Sequence, residues 1–323
     1  MMECCFLNVG DGDAAVFRVR KTDGSDYVLM IDTGRPALEY VKESLRAEAL
    51  YGLKELGIGH VDLMILTHFH IDHMGGTANI LRHLPVKRLL APYIAPEGAS
   101  WVRPPFETRE KKCIGLAQML NIWNDTVKLA RERGTELAVT EEGTEVLCET
   151  PEGPLTLSTL FPCRELLPRQ TAVLDTLYAG GTPDWDDWFR TSEDRNISGS
   201  LTRLSYAGHD LLLAADVYAS VWEQLELAPC EILKLPHHGD PKAMTPYLAA
   251  VLHPRYAVIS CQNDPAQKKD RPNAQTVRML QDAGSEVLCT ENKPLPTLAP
   301  STHRYVGFRV TAEGIERISE DVK

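Results

Sequence analysis

The sequence lacks several features that mark whole classes of proteins. No apolar run approaches the roughly 18 to 20 residues that a membrane-spanning helix needs. The first residues, MMECCFLNVGDGD, contain no basic stretch of the kind that opens a secretory signal peptide. None of the eight cysteines forms a C-x-x-C pair, which favours buried thiols in a reducing compartment over a disulfide framework. These absences predict a cytoplasmic protein without a membrane span.

Positive charge is also scarce. Lys and Arg number 34 against 45 Asp and Glu, so the formal net charge is −11 over 323 residues. This balance argues against a broad basic face that grips duplex nucleic acid. Bound divalent cations would add local positive charge that the count omits, so a phosphate-bearing substrate that reaches into a pocket remains compatible with it.

Short apolar strands alternate with helices along the chain, which predicts an α/β protein. No linker interrupts the midpoint, so we expect one domain over residues 1–323. Two segments differ in texture: an insertion at about 92–134, with a long helix over Glu107–Arg133, and an acidic, lid-like loop at about 163–200. An earlier helix is predicted over Ala37–Leu56.

Three histidines and one aspartate follow a single apolar strand, Val61–Leu66: His68, His70, Asp72 and His73. Imidazole nitrogen and carboxylate oxygen are natural zinc ligands and also suit iron or manganese. In an extended chain the first three side chains share one face, and His73 can turn inward as the next helix starts. The spacing predicts a site that can hold two divalent metal ions, most simply zinc.

Further candidate ligands stand at the ends of two later strands. Asp216 follows the run Leu211–Ala215, and His237 and His238 follow the run Ile232–Pro236. Strand ends on one edge of a sheet can assemble a site from distant segments. Either histidine could bind metal, and the other could contact a phosphoryl oxygen or protonate a leaving group.

These motifs resemble the metallo-β-lactamase-fold hydrolases, and more narrowly the ComEC/Rec2-type hydrolase domain of bacterial DNA-uptake proteins. The segments that carry the resemblance lie within about residues 3–290. They are FLNVGDGDA at 6–14, IDTG at 31–34, THFHIDHMGG at 67–76, LLLAAD at 211–216, LKLPHHG at 233–239, and AVIS at 257–260 followed by Asn273 and a helix. The H-x-H-x-D-H pattern is specific for the superfamily, and H-H-G is fairly specific for the subgroup.

The resemblance implies an αββα sandwich of two mixed β-sheets flanked by helices, with a dinuclear site at one edge. His68 and His70 would bind the first metal. Asp72 and His73 would bind the second, together with His237 or His238. Asp216 would bridge the two metals, and Asp32 would orient a ligand. Asp72, His237 and His238 are the residues for which we expect a catalytic role.

The sequence departs from the family pattern at three places. The fold's usual middle histidine ligand is absent; Asn196 is one candidate to replace it, and His209 is another. Ala215 stands where a glycine usually precedes the bridging aspartate. Arg271-Pro272 stands where the subgroup often has His-Pro.

Two metals about 3.5–4 Å apart lower the pKa of a shared water and neutralise charge on an attacked ester oxygen. We therefore expect a phosphodiesterase, either a nuclease acting on single strands or a hydrolase of small phosphodiesters. Hydrolysis of a lactone, thioester or β-lactam is the alternative chemistry. A metal-bound scaffold without turnover is the alternative of another class.

Overall fold

The structure is a computed structural model that describes residues 1–38, 44–99, 101–104, 107–161, 166–193, 199–262, 270–295 and 297–318. The strands of these residues, in chain order, are β1 (Met2–Leu7), β2 (Ala15–Arg20), β3 (Asp26–Ile31), β4 (Val61–Ile65), β5 (Val86–Ala91), β6 (Glu136–Val139), β7 (Gly143–Thr150), β8 (Gly153–Phe161), β9 (Leu201–Tyr206), β10 (His209–Leu213), β11 (Ile232–Lys234), β12 (Tyr256–Ile259), β13 (Glu286–Cys289), β14 (Tyr305–Thr311) and β15 (Gly314–Ile318). The helices are α1 (Ala49–Glu55), α2 (Ile71–Met74), α3 (Thr77–His83), α4 (Lys111–Glu132), α5 (Leu166–Tyr178), α6 (Trp185–Glu193), α7 (Ala219–Trp222), α8 (Pro246–Leu252) and α9 (Ala274–Asp282).

The strands form two mixed sheets. The first has the order β15-β14-β1-β2-β3-β4-β5-β6, and the second has the order β13-β12-β11-β10-β9-β8-β7. One apolar cluster lies between the sheets, and two others join the outer faces of the sheets to helices. This arrangement confirms the predicted αββα sandwich.

Strand β1 shows how the sequence pattern builds these layers. Its side chains alternate, so Cys4 and Phe6 enter the cluster between the sheets, whereas Cys5 and Leu7 join the cluster under the helices. The Phe6 ring meets Phe17 and Phe308 edge to face, with centroids 6.2 and 6.3 Å apart. Burial of a phenylalanine of this kind stabilises the fold by about 1.5–3 kcal/mol.

Strand direction determines where polar loops can meet. β3, β4, β5 and β6 run parallel to one another, as do β10, β11, β12 and β13. Because β1 and β3 are both antiparallel to β2, they also end at the same edge. The predicted ligands follow β4, β10 and β11, so the topology brings them to one edge of the sandwich.

The prediction of a helix over Ala37–Leu56 is wrong for its described N-terminal part. The helix begins at Ala49, and residues 39–43 lie outside the described residues. The backbone N–H of Leu45 donates to Asn292 Oδ1 at 3.0 Å, and the Arg46 guanidinium donates to Gln262 at 2.7 Å. These distant partners hold residues 44–47 out of the helix, a tertiary effect that local propensity does not contain.

The prediction of an acidic loop at about 163–200 is also wrong, because this segment contains α5 and α6. Asp184 accepts a hydrogen bond from the backbone N–H of Asp186. Acidic residues at the start of a helix also interact favourably with the positive end of the helix dipole. Trp188 is fully buried in the cluster that also contains residues of α4. The acidic run is therefore the start of a packed helix, and Trp188 belongs to the core.

Among the helices of the described residues, none combines the length and apolarity needed to cross a bilayer.

Candidate metal centre

The loop after β4 supplies four of the predicted ligands. His68 and His73 are fully buried, and His70 precedes α2 in extended conformation. The ring nitrogens His68 Nε2 and His70 Nδ1 lie 2.9 Å apart. Asp72 and His73 are both in α2, so the change from extended chain to helix turns His73 toward the interior, as the spacing predicts.

The second sheet supplies Asp216 and His238 from the ends of β10 and β11. Both side chains are buried. Asp216 Oδ2 lies 3.7 Å from His68 Nε2. Asp216 Oδ1 lies 3.3 Å from His73 Nε2 and 3.9 Å from His238 Nε2. The two oxygens of one carboxylate therefore face different histidines.

Three overlapping groups of side chains have ligand atoms that all lie within 4.8 Å of one another, and one of these groups is Asp13, His73 and Asp216. What we call the first group is His68, His70 and Asp216, and what we call the second group is Asp72, His73 and His238. His238 Nε2 is 3.6 Å from Asp72 Oδ2 within the second group. The first and the second group each combine two residues from the loop after β4 with one residue from the second sheet.

Asp32 orients the histidines of both groups. Its Oδ2 lies 2.7 Å from His73 Nδ1, so that nitrogen carries a proton and Nε2 keeps its lone pair. The Thr67 hydroxyl donates to the same oxygen at 2.8 Å and lies 3.0 Å from His68 Nδ1. Because the Thr67 hydrogen is used on Asp32, its oxygen accepts from His68 Nδ1, and His68 Nε2 also points its lone pair at the cluster. This places Asp32 where the sequence predicts it, behind the ligands.

His238 is oriented in the same way by a main-chain group. Its Nδ1 donates to the carbonyl oxygen of Ser260 at 2.9 Å. Its Nε2 then faces Asp72 and Asp216 as an acceptor. The Nε2 atoms of His68, His73 and His238 thus face one small space beside the carboxylates of Asp72 and Asp216.

The chemistry of this donor set fits divalent metal ions. The Nε2 atoms of His73 and His238 are buried and make no hydrogen bond within the described part of the chain, an arrangement that costs free energy unless a cation lies there. Burial lowers the pKa of His68 well below its ordinary value, with His73 and His70 acting in the same direction. Burial raises the pKa of Asp216, but His73 and His238 outweigh it, and the pKa lies well below the ordinary value. A neutral imidazole and an ionised carboxylate are the forms that bind metal.

His237 lies outside both groups. Its Nδ1 is 2.7 Å from Asp240 Oδ2, and its Nε2 contacts the guanidinium of Arg271. Its Nε2 is also 3.9 Å from Asp216 Oδ2. The geometry therefore favours His238 as the ligand and gives His237 a position at the border of the centre.

Asp13 and Lys234 belong to this centre, although sequence reasoning did not assign them to it. Lys234 Nζ donates to Asp13 Oδ2 at 2.7 Å, and both side chains are buried. Asp13 Oδ1 has no hydrogen bond within the described residues and lies 3.7 Å from His238 Nδ1. The signal that could have found them is their place in GDGD and LKLPHHG, motifs that end strands at the same edge.

The backbone is strained where the centre is built. Among the residues that the structure describes, six other than glycine have positive φ, and four of them lie here: Asp32 (58°), Ala215 (46°), His237 (49°) and His238 (57°). A residue with a Cβ in this region costs about 1–2 kcal/mol, and such residues cluster at functional sites. Glycine would adopt the positive φ of Ala215 without the steric cost of a Cβ.

The two candidates for a middle ligand have different outcomes. Asn196 lies outside the described residues. His209 is the first residue of β10, at the opposite end of that strand from Asp216, where its Nδ1 faces Glu231 at 3.4 Å. The structure does not bring His209 to the centre.

The match to a family model supports the fold over the part of the chain that it covers. Residues 9–158 match the sequence model of the metallo-beta-lactamase superfamily. The comparison with curated proteins found no significant match. Similar solved structures include Igni18, a metallo hydrolase from the archaeon Ignicoccus hospitalis KIN4/I, with 17% identity over 95% of this chain and 99% of that one at a TM-score of 0.49.

Two other similar structures have equally broad coverage. YhfI from Bacillus subtilis, a metallo-beta-lactamase fold protein, has 10% identity over 91% of this chain and 98% of that one at a TM-score of 0.49. A diphosphatase from the PhnP family has 12% identity over 93% and 99% at a TM-score of 0.44. Likeness at this level says nothing about substrate. The first part of the chain, residues 9–158, is therefore similar to the metallo-beta-lactamase superfamily, and the described side chains form groups that could hold a metal ion.

Proposed function

We propose that this protein is a metal-dependent phosphodiesterase that binds two divalent ions. The first group would hold one ion and the second group the other. The observation that carries the proposal is the position of Asp216, whose Oδ2 faces the first group while its Oδ1 faces the second. A carboxylate in this position can bridge two ions.

Two bound ions would lower the pKa of a shared water toward neutrality and neutralise charge on an attacked phosphoryl oxygen. The mixed nitrogen and oxygen donors suit zinc, and manganese or iron can bind to the same types of ligand. Asp32 and the Ser260 carbonyl hold the histidine rings so that their free nitrogens face inward. Asp72 adds negative charge beside His238 and completes the second group.

A phosphodiester fits this centre better than a neutral substrate. A pair of divalent ions clamps an anionic phosphoryl group strongly, and the Arg271 guanidinium stands beside the centre at His237. The net charge of −11 provides no general attraction for a long polyanion. We therefore propose a small phosphodiester or a single-stranded nucleic acid as substrate.

The contact between Asp13 and Lys234 supports the narrower resemblance to ComEC/Rec2-type domains. Asp13 belongs to the GDGD turn after β1, and Lys234 belongs to the LKLPHHG segment around β11. These are the two motifs that distinguish the subgroup resemblance, and the ion pair joins them across the two sheets at 2.7 Å. We propose membership of that subgroup on this basis.

The test is metal content together with hydrolysis. Purified protein, supplied with Zn²⁺ or Mn²⁺, should hydrolyse bis-p-nitrophenyl phosphate, and a panel of single-stranded DNA, double-stranded DNA, RNA, cyclic dinucleotides, choline-phosphate esters and a lactone should identify the substrate. His70→Ala should abolish the activity, and His209→Ala, a histidine on the same fold away from the centre, should retain it.

Each alternative has its own outcome in this test. Preferred hydrolysis of the lactone or of a thioester would replace the phosphodiesterase proposal. Tightly bound metal without hydrolysis of any member of the panel would support a non-catalytic scaffold.

A further inference from the structure

Arg271 stands at the border of the metal centre, just before α9. Its Nη2 contacts His237 Nε2 and lies 3.7 Å from Asp240 Oδ2. The side chain is 16% exposed, so the guanidinium is held by the fold but remains open to a molecule that enters the centre. It occupies the place where the resembled subgroup often has histidine.

The partners of Arg271 fix its position without using all its donors. A guanidinium only donates hydrogen bonds, so His237 Nε2 is the acceptor in this contact. The other ring nitrogen of His237 faces Asp240 at 2.7 Å. Nε and Nη1 of Arg271 make no hydrogen bond to the described residues, since its interactions there are those with His237 and Asp240 through Nη2. Within the described part of the chain, the N–H groups of Nε and Nη1 therefore remain as donors for another molecule.

Arg271 also lies close to the atoms that would receive a substrate. His237 Nε2, which it contacts, is 3.9 Å from Asp216 Oδ2. Asp216 is the residue that stands between the two groups. A phosphoryl group placed there would come within reach of the guanidinium, whose geometry matches two phosphoryl oxygens.

A second arginine at the same edge is bound differently. Arg35 donates from Nε to the Asp11 carbonyl oxygen at 3.1 Å, and its Nη2 lies 3.5 Å from Asp11 Oδ2 and 3.9 Å from Asp72 Oδ2. Its charge is thus already opposed by two carboxylates. Arg271 faces one carboxylate, at the longer range of 3.7 Å, and a neutral imidazole.

We propose that Arg271 binds a non-bridging phosphoryl oxygen of the substrate and thereby sets a preference for anionic esters over neutral ones. Asp240 and His237 are positioning residues that hold the guanidinium beside Asp216. This inference rests on the proposed phosphodiesterase function and deepens it by assigning a substrate-binding residue.

Two substitutions separate charge from structure. Arg271→Gln retains an N–H donor for His237 and removes the positive charge, whereas Arg271→Lys restores the charge. Lys242→Gln is the matched control, because Lys242 is an exposed cation near the same edge, with its Nζ 5.5 Å from the Tyr218 ring that in turn meets His237. Thermal denaturation of each variant shows whether it folds.

The measurements are steady-state kinetics on bis-p-nitrophenyl phosphate and on the neutral ester p-nitrophenyl acetate, with calorimetric titration of inorganic phosphate. Arg271→Gln should raise the KM for the diester and the Kd for phosphate about tenfold or more, the effect of losing a charge-assisted hydrogen bond. The neutral ester should be hydrolysed at the wild-type rate. Arg271→Lys should recover part of the loss, and Lys242→Gln should show none.

Three results would overturn the inference: an unchanged KM and Kd in Arg271→Gln, an equal loss on the neutral ester, or the same loss in Lys242→Gln. Failure of the proposed function looks different. In that case the wild type does not hydrolyse the diester, while phosphate binding that depends on Arg271 would still support an anion site.

Discussion

The two sheets contribute to the metal centre in different ways. The first sheet supplies His68, His70, Asp72 and His73 from one continuous loop after β4, with Asp32 behind them. The second sheet supplies its two residues from separate strand ends. They are Asp216, next to the strained Ala215, and His238, itself in a left-handed conformation.

The side chains of the two sheets are held in place by different interactions. The loop of the first sheet is a preformed half-site, because Asp32 and Thr67 orient its histidines through hydrogen bonds within the same sheet. The second sheet depends on backbone strain and on the Ser260 carbonyl to aim its two side chains. Each group takes one member from the second sheet, so bound ions would join the two sheets.

The largest expected effect comes from Asp216, which faces both groups. Asp216→Ala should abolish diesterase activity and both metal sites, whereas His70→Ala should remove the first site and leave the second. Metal content by mass spectrometry and hydrolysis assays check this. Asp210→Asn, which weakens an ion pair with Arg203 at the other end of β10, is the control and should leave the metal content intact. Equal metal content in wild type and Asp216→Ala would show that Asp216 is not needed at either metal site.

Removal of metal should be the next largest effect, because the ions would link the sheets. A ligand at 100 times its Kd stabilises a protein by about 2.7 kcal/mol for each site that the unfolded chain lacks. Chelation should therefore lower the Tm, and added Zn²⁺ or Mn²⁺ should restore it. Differential scanning calorimetry measures the change. A Tm that does not respond to chelator would show that the sheets hold together without the ions.

Asp32→Asn tests whether hydrogen bonds within the first sheet orient the ligand histidines. The asparagine can present its amide N–H to His73 Nδ1, which would disturb the orientation of the ring. Loss of such an outer partner lowers metal affinity about 10- to 100-fold. Calorimetric titration of metal into the protein measures the change. The matched control is Asp62→Asn, which alters an Asp–His pair with His60 at the start of β4 and should leave metal affinity unchanged.

Ala215→Gly tests the role of backbone strain in the second sheet and should have the smallest effect on stability. The left-handed backbone at Ala215 costs about 1–2 kcal/mol, and glycine costs about 0.5–1 kcal/mol in chain entropy. The substitution should raise the free energy of unfolding by about 0–1.5 kcal/mol, the difference between these two contributions. Ala214→Gly, at the neighbouring position without positive φ, should lower it. Denaturant titration measures the free energy of unfolding of both variants. A lower value for Ala215→Gly than for the wild type would show that the backbone at Ala215 is not strained.

The same contrast explains what could be predicted from the sequence. The half-site of the first sheet is contiguous, so ligand chemistry and spacing suffice to find it, and Asp32 follows from the family motif. His238 could not be separated from His237 beforehand, because the choice depends on which ring meets Ser260 and which meets Arg271. Asp13 was missed because its partner Lys234 lies in the other sheet.

The errors in the fold have the same origin. Strands and the sandwich follow from local apolar patterns, and Asn273, a residue type that favours the N-cap position, accepts hydrogen bonds from the first N–H groups of α9. Residues 44–47 are not helical as predicted, because they bond to partners distant in sequence such as Asn292. The acidic residues before Trp188 begin a helix whose burial depends on α4. Interactions remote in sequence decide these cases.

The most direct test of the central claim is a count of tightly bound divalent ions per chain in wild type and in His70→Ala. Our account predicts two ions in the wild type and one in the variant, because the second group does not contain His70. An identical count in both proteins, or the absence of tightly bound metal in the wild type, would contradict a centre in which Asp216 belongs to the first group and faces the second.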